Sequence, residues 1–372
     1  MKVLHVISGL GTGGAERALY TTLCGMDRTK TEHVVLSLRG EGTFGPRIQA
    51  LDIPVYSLGM GRGLSGLKTL RNFREVVRKL SPDIIQGWMY HGNLAASVAA
   101  WLMTGKRPAV VWNVRHCLYS LKAEKPLTRQ VIRATRWASS GVDAIIYNSH
   151  LSRDQHRSFG FAGKSGKVIP NGFDTDRLSP DVEIREVARK KMDISTDVLV
   201  IGHVARFHPM KDHASFLRAA VEVMRRRADV QCLLVGREVN LDNPALVGIV
   251  PPEFEGRFRF AGERDDVPDL MRAMDVFCQS SWSEAFPNVL GEAMAIGVPC
   301  VTTNVGDSKD IVGSTGVVVP PSDSAALAEG LLSMLSHSTE ERSALGREAR
   351  LRIAERYLSL IHISEPTRLG MI

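Results

Sequence analysis

Three loops in this sequence combine residue types that could handle a phosphorylated ligand, and each follows an apolar run that reads as a β-strand. The richest is SSWSEAFPNVLGEAMAIGVP. Glu284 falls in the loop after the run DVFCQSS, Pro287 suits the first turn of a helix, and Glu292 lies on that helix. A helix start offers N–H groups and positive potential where a leaving phosphate would gather charge. The flanking carboxylates can accept hydrogen bonds from sugar and ribose hydroxyls. A glutamate on a solvated helix face accounts for either residue singly. It explains poorly the glycine, proline and small residues around both.

The second loop is VARFHPMKDH, where Arg206 and Lys211 stand across a turn containing Pro209. Two cations so placed can clamp a diphosphate. The third is GLGTGGAE, in which Gly9, Gly11 and Gly14 satisfy GxGxxG between a strand and a helix. Such a turn lets backbone N–H groups approach a phosphate, and it serves equally well for tight strand-to-helix packing. A dinucleotide site would want an acidic residue at the end of the second strand. The run HVVLSL ends instead in Arg39 and Gly40, which disfavours NAD and leaves NADP open. The triplet Asp174-Thr175-Asp176 resembles a metal-binding pair, but turn formation and helix capping suffice for it, and no metal ligand is assigned.

The elements that must hold these loops alternate regularly. VLHVIS, HVVLSL, IPVYSL, DIIQGW, AVVWNV and DAIIYNS are separated by amphipathic helical stretches. A second series, VLVIGHV, VQCLLVG, RFRFAG, DVFCQSS, VPCVTT and TGVVVP, follows the turn-rich PNGFDTDRLSP. Strands alternating with helices predict βαβ units and parallel sheets. The expected fold is α/β: two doubly wound, Rossmann-like domains, 1–178 and 179–357, with a ligand crevice at the carboxyl ends of the strands, between the domains. Beyond ARLRIAERY the chain loses helical periodicity, and SLIHISEPTR resembles translated sequencing-adapter sequence. Residues 358–372 are therefore expected to be a non-native or disordered tail.

At 372 residues and 44% hydrophobic content the chain can bury two ordinary cores. Its five cysteines are scattered without a CxxC pair, which argues against a disulfide framework or a zinc knuckle and for a reducing cytoplasm. The opening run MKVLHVISGL is too short for a signal peptide, and no later run is long enough to span a bilayer. The net charge of +7 is unevenly shared: 25 Lys+Arg against 12 Asp+Glu in residues 1–180 and 22 against 28 in 181–372, that is +13 and −6. The basic first half points to an anionic lipid surface or phosphate-bearing acceptor as readily as to solubility charge. Nothing points to nucleic acid.

Read in order, KVLHVISGLGTGGAER, WMYHGNLAA, VVWNVRH, YNSHLSR, VIPNGFDTDRLSP, VARFHPMKDH, GERDDVP and EAFPNVLGEAMAIGVPCVTTNVGD resemble the family 4 glycosyltransferases of GT-B fold, particularly the branch that builds O-antigen and other surface polysaccharides. That resemblance implies a retaining, metal-independent hexosyltransferase that uses a nucleoside-diphosphate sugar, UDP-sugar favoured, with no cofactor. Its acceptor would be a glycan or lipid-linked sugar. It implies that Glu284 contacts the transferred sugar and Glu292 the ribose, and that Phe286, Pro287, Asn288 and Val289 complete the donor site. Arg206 and Lys211 would neutralise the departing diphosphate, with Gly13 and Gly14 facing it from the other domain.

In relatives the position of His116 points toward the reacting centre, and His91 and Arg115 are candidates for the acceptor side. Structural roles for these residues stay open, and His203 and His208 are assigned none. Two departures from the family pattern are visible. Gly291 replaces a common leucine, which is expected to loosen the donor helix slightly, and Lys309 and Asp310 stand where a small residue and a glutamate are usual. LKAEKPLTRQVIRATRW, a basic helix with an aromatic edge, reads as a rest for an anionic membrane or as a solvated helix. The enzyme is accordingly expected in the cytoplasm, at the inner face of the membrane if that helix binds lipid. The competing readings are a nucleotide-sugar 2-epimerase of the same fold, an NADP-linked oxidoreductase and a catalytically dead sugar-nucleotide sensor.

Overall fold

The computed structural model describes residues 1–61, 67–240 and 242–358. Two compact units divide after Asn171, short of the expected boundary near 178. The shift has a packing cause. Phe173 and Leu178 are buried in the second unit's core, Phe173 N–H donates to the Tyr357 carbonyl at 2.8 Å, and Arg350 donates to the carbonyls of Thr175, Leu178 and Ala295. Residues 359–372, where nearly all of the expected tail falls, lie outside the described residues.

The first unit contains β1 (Lys2–Ile7), β2 (Glu32–Ser37), β3 (Val55–Ser57), β4 (Ile84–Trp88), β5 (Ala109–Val114), β6 (Ala144–Tyr147) and β7 (Gly166–Val168). They form one parallel sheet in the order β3-β2-β1-β4-β5-β6-β7. Its helices are α1 (Gly14–Cys24), α2 (Phe44–Gln49), α3 (Leu67–Leu80), α4 (Met89–Leu102), α5 (Pro126–Ala138) and α6 (His150–Phe159). The runs of valine, isoleucine and leucine in β1, β2 and β5 are continuous because helices cover both faces of the sheet. Separate clusters built around Leu4, Leu36 and Trp112 and around Ile7, Leu19 and Ile48 result.

One polar chain crosses this core. Trp88 Nε1, a donor only, gives its proton to His5 Nδ1 at 3.3 Å, so His5 Nε2 carries the proton donated to His33 Nδ1 at 3.0 Å. Burial, with His33 beside it, pushes the His5 pKa down to about 3 and keeps the ring neutral.

The second unit repeats the plan with β8 (Leu199–Val204), β9 (Val230–Val235), β10 (Phe258–Phe260), β11 (Val276–Gln279), β12 (Cys300–Thr303) and β13 (Gly316–Val319). They form a parallel sheet in the order β10-β9-β8-β11-β12-β13. Its helices are α7 (Val182–Lys191), α8 (His213–Arg226), α9 (Pro244–Val247), α10 (Val267–Arg272), α11 (Asn288–Ile296), α12 (Ser308–Val312), α13 (Ser324–Ser336) and α14 (Thr339–Arg356). All twelve strands expected from sequence are present. The thirteenth, β7, is three residues long and none of its residues is fully buried, so it has no apolar run to announce it. In both sheets the order reverses beside the first strand of the unit, β1 or β8, which is where doubly wound sheets open a crevice at their carboxyl ends. No described helix is long and apolar enough to cross a membrane.

Candidate functional site

In the second unit β8 and β11 are hydrogen-bonded neighbours, so the loops that leave their carboxyl ends meet. Trp282 N–H donates to the Met210 carbonyl at 3.0 Å, and its indole Nε1 donates to the Pro209 carbonyl at 2.9 Å. Ser280 Oγ donates to the Lys211 carbonyl at 2.8 Å and therefore accepts from His203 Nε2 at 3.1 Å. Burial holds His203 well below the ordinary histidine range, with His213 and Lys211 acting the same way, so this ring stays neutral. The seam sets Lys211 Nζ on Glu284 Oε1 as an ion pair, to which Ser281 Oγ adds a hydrogen bond at 2.8 Å. The two charged side chains keep 22% and 14% of their surface exposed, enough for a ligand to reach them.

Residues from the third expected cluster surround this pair. The backbone leaves Pro287 extended, and α11 begins at Asn288, so Pro287 caps the helix rather than opening it. Glu292 is buried on that helix, while Asn288 and Val289 in its first turn are partly exposed. The ring of Phe286 is turned into the core, stacked on Phe173 with centroids 6.1 Å apart and edge-on to Tyr357 at 5.8 Å. What Phe286 can offer a ligand is its backbone. Arg206 opens the β8 loop and is exposed to solvent. Gly306, at a φ of +55°, lets the loop after β12 close on this strand end: a Cβ there would sit 2.4 Å from the Ala285 carbonyl oxygen and 2.6 Å from that of Glu284. Asp307 N–H then donates to the Ala285 carbonyl at 3.2 Å.

Gly291 does not loosen the helix. A Cβ at this position would lie 2.1 Å from the Phe173 ring, so the missing side chain is replaced by an aromatic from another segment. Asp174 accepts from the backbone N–H groups of Asp176 and Arg177 at 3.2 and 3.0 Å, as a turn-forming aspartate does. Among the described residues no group of three or more His, Cys, Asp and Glu is placed to hold a metal ion.

In the first unit the remaining candidates gather after β1, β4 and β5. Gly13 caps α1 and Gly14 is its first residue. The space a Gly13 side chain would take is filled by the Glu16 carboxylate, 2.2 Å from where that Cβ would be. Burial raises the Glu16 pKa. His91 lies in the first turn of α4, half-buried, its pKa lowered by burial and then by Arg39. The Arg115 guanidinium lies 5.3 Å over the Trp88 ring and donates to Asn171 Oδ1, and burial pulls its pKa down to about 10, which leaves it charged at neutral pH. His116 Nε2 is 2.7 Å from Glu124 Oε1.

The basic segment forms a short 3-10 turn, Leu121–Ala123, and then α5, rather than one helix. Leu127 and Trp137 are 68% and 79% exposed there, joined by Trp101 at 82% near the end of the adjoining α4. Arg136 lies over the Trp137 and Phe159 rings at 5.7 and 5.6 Å.

Sequence reading missed Ser280, Ser281, Trp282, Gly306 and Glu124. Ser280, Ser281 and Trp282 sit inside the loop it singled out, and their polar hydrogens were the available signal. Ser281 meets Glu284 of the same loop, whereas the acceptors of Ser280 and Trp282 belong to the loop after β8.

Similarity to known proteins follows the two-unit division. Residues 12–177 match the family model described as Glycosyltransferase Family 4, and residues 198–337 match that of Glycosyl transferases group 1. The chain is 28% identical over 332 residues to the EpsF protein of Bacillus subtilis (strain 168), covering 82% of this chain and 79% of that one. It is 27% identical over 341 residues to a phosphatidyl-myo-inositol mannosyltransferase of Mycobacterium leprae, covering 85% of each. Its fold superposes on Anabaena HepE in complex with UDP with a TM-score of 0.80 at 22% identity, over 97% of this chain and 96% of that one. The lipopolysaccharide glycosyltransferase WaaG superposes with a TM-score of 0.74 at 15% identity, over 97% of each chain.

Proposed function

We propose that this chain, a glycosyltransferase of family 4 type and GT-B fold, moves a hexose-type sugar with retention from a nucleoside-diphosphate sugar to a glycan or lipid-linked sugar hydroxyl in surface polysaccharide assembly. The observation that carries this reading is the Lys211–Glu284 pair, held at the carboxyl ends of β8 and β11 beside the start of α11. As the bond from the anomeric carbon to the phosphate oxygen breaks, negative charge grows on the diphosphate. Lys211, Arg206 and the N–H groups of the α11 first turn stand ready to meet that charge without a metal. Glu284 exchanges its lysine partner for hydroxyls of the transferred sugar. The acceptor oxygen bonds to the anomeric carbon on the face the phosphate leaves, and its proton passes to the departing phosphate oxygen.

Glu292 is assigned the ribose, and the 286–289 segment lines the donor site largely through its backbone. In the first unit Arg115, His116 and His91 are assigned to the acceptor side. Phosphate contact at Gly13 and Gly14 requires the Glu16 carboxylate to swing aside. A UDP-sugar is the favoured donor, in keeping with the UDP bound in HepE.

Incubation with nucleoside-diphosphate sugars tests the reading. One donor should raise Tm, a ligand at about a hundred times its Kd adding about 2.7 kcal/mol, and should give a new glycoside only when an acceptor is supplied. A new nucleotide sugar formed from donor alone would identify an epimerase instead, and a flat Tm across all donors would remove the transferase reading.

The same reading places the enzyme at the cytoplasmic membrane face, on α5 and its exposed tryptophans. Vesicles containing anionic lipid should float the wild type and lose a Trp101→Ser, Arg133→Glu, Trp137→Ser variant. Equal flotation of both removes this surface from membrane binding.

A further inference from the structure

β5 passes the chain to Arg115 and His116, and the His116 ring is held by more of the first unit than an incidental ion pair would need. Its Nε2 lies 2.7 Å from Glu124 Oε1, and the two side chains retain 28% and 22% exposure. The hydrogen bond from His116 holds the Glu124 carboxyl below its ordinary range, so Glu124 is an acceptor at neutral pH and Nε2 carries the shared proton. Nδ1 is then the nitrogen with the lone pair whenever the ring is neutral.

Glu124 is itself pinned. Its N–H donates to the Leu121 carbonyl at 3.2 Å, and its carbonyl accepts from Arg129 Nε at 2.7 Å. The His116 carbonyl accepts from Ser152 Oγ at 2.7 Å, and its ring stands edge-on to Tyr90 at 6.1 Å. Tyr90 is fixed in turn. His156 Nδ1 donates to the Ser152 carbonyl at 2.7 Å, so His156 Nε2 accepts the Tyr90 hydroxyl proton, also at 2.7 Å. The titratable and charged groups around the ring are thus Tyr90 from α4, Arg129 from α5, His156 from α6, and Cys117 and Glu124 on its own loop.

We infer that Glu124 is a positioning residue for His116: it selects the Nε2–H tautomer, fixes the ring plane and leaves Nδ1 to accept a hydrogen bond from a sugar hydroxyl. The inference deepens the proposed transferase reading and rests on it for the identity of that hydroxyl. Glu124 lies in the basic stretch LKAEKPLTRQVIRATRW and in none of the motifs that suggested a donor or acceptor site. A carboxylate that orients a histidine through one ring nitrogen while the other meets substrate is a recurrent arrangement in unrelated enzymes.

The test combines ring ¹⁵N spectra with transfer kinetics on the full chain, using wild type, Glu124→Gln, Glu124→Asp and His116→Ala, the last to assign the signal. In wild type His116 should be the Nε2–H tautomer near neutral pH. The isosteric Glu124→Gln, whose amide can donate as well as accept, should let the Nδ1–H tautomer appear beside it. In the transfer assay Glu124→Gln should lower kcat about tenfold with donor KM unchanged, about what the loss of one well-placed hydrogen bond implies. Glu124→Asp should recover part of the loss, and Glu124→Gln should cost nothing further in a His116→Ala background. An unchanged His116 tautomer in Glu124→Gln, or a Glu124→Gln loss that persists without His116, overturns the inference. The spectra need no substrate, so a predicted ring response in a protein that turns over no donor upholds the tautomer assignment and rejects the transferase reading instead.

Discussion

Lys211→Ala and Glu284→Ala are each expected to lower kcat for sugar transfer about 10²- to 10³-fold, the cost of removing one preorganised group from a site of developing charge, while the fold survives. Most of the Lys211 effect should fall on kcat, because the charge it meets grows as the diphosphate leaves and is smaller in the bound donor. Glu284→Ala should additionally raise donor KM, since its hydroxyl contacts exist before bond breaking. Stability should hardly change. The seam between the β8 and β11 loops runs through Trp282 to the carbonyls of Met210 and Pro209 and through Ser280 to that of Lys211, and none of these bonds uses either charged side chain. The ion pair is partly open to solvent, so water can reach whichever partner is left. Kinetics and a melting curve on the same preparation check both halves. Near-normal transfer by both variants removes them from the reaction, and a collapse in Tm with either would mean the pair is structural.

The sheet strands and the loops that bear chemistry were legible because they follow local rules: apolar runs of four to six residues, glycines at turns, cations and carboxylates just past a strand. The seam between those loops was not legible. Ser280 finds the Lys211 carbonyl, and Trp282 the Pro209 carbonyl, only because β11 pairs with β8, and no periodicity in the sequence states that pairing. Glu124 was invisible for the same reason: what marks it is a histidine at the end of β5 rather than anything in the basic stretch around it. The units divide a few residues before the boundary expected from PNGFDTDRLSP, which reads as a linker by composition. Its Phe173 and Leu178 nevertheless complete an apolar core, and Arg350, far along the chain, accounts for three carbonyls. At the GxGxxG loop the helix start was legible, and the neighbour that packs on it was not. The Glu16 carboxylate, from the first turn of α1, fills the space beside Gly13.

Gly291 and Phe173 give the largest stability effect the structure predicts. Helix propensity alone says that Gly291→Leu should stabilise α11, since leucine is favoured over glycine by somewhat less than about 1 kcal/mol. The packing says the opposite. The position a Cβ would take is 2.1 Å from Cζ of Phe173 and 2.4 Å from Cε2, in a core where Phe173 is also stacked on Phe286. Phe173 cannot retreat easily, because its N–H is tied to the Tyr357 carbonyl at 2.8 Å. Overpacking of this kind costs about 1–3 kcal/mol, which exceeds the propensity gain, and in a domain of this size each kcal/mol lowers Tm by roughly 2–4 °C. Phe173→Ala alone should cost about 3–5 kcal/mol as a cavity forms. With the ring gone, however, the leucine has somewhere to go. The Phe173→Ala, Gly291→Leu double variant should therefore be more stable than Phe173→Ala, and the two effects should fail to add by about 1 kcal/mol or more. Denaturant unfolding of the four proteins measures that coupling directly. Additive losses, or a Gly291→Leu variant as stable as the parent, would mean that the ring and the glycine do not share this space. Preserved coupling would show that the helix propensity lost at Gly291 is compensated by an aromatic from the segment that enters the second unit, and that α11 is held by packing rather than by its own sequence.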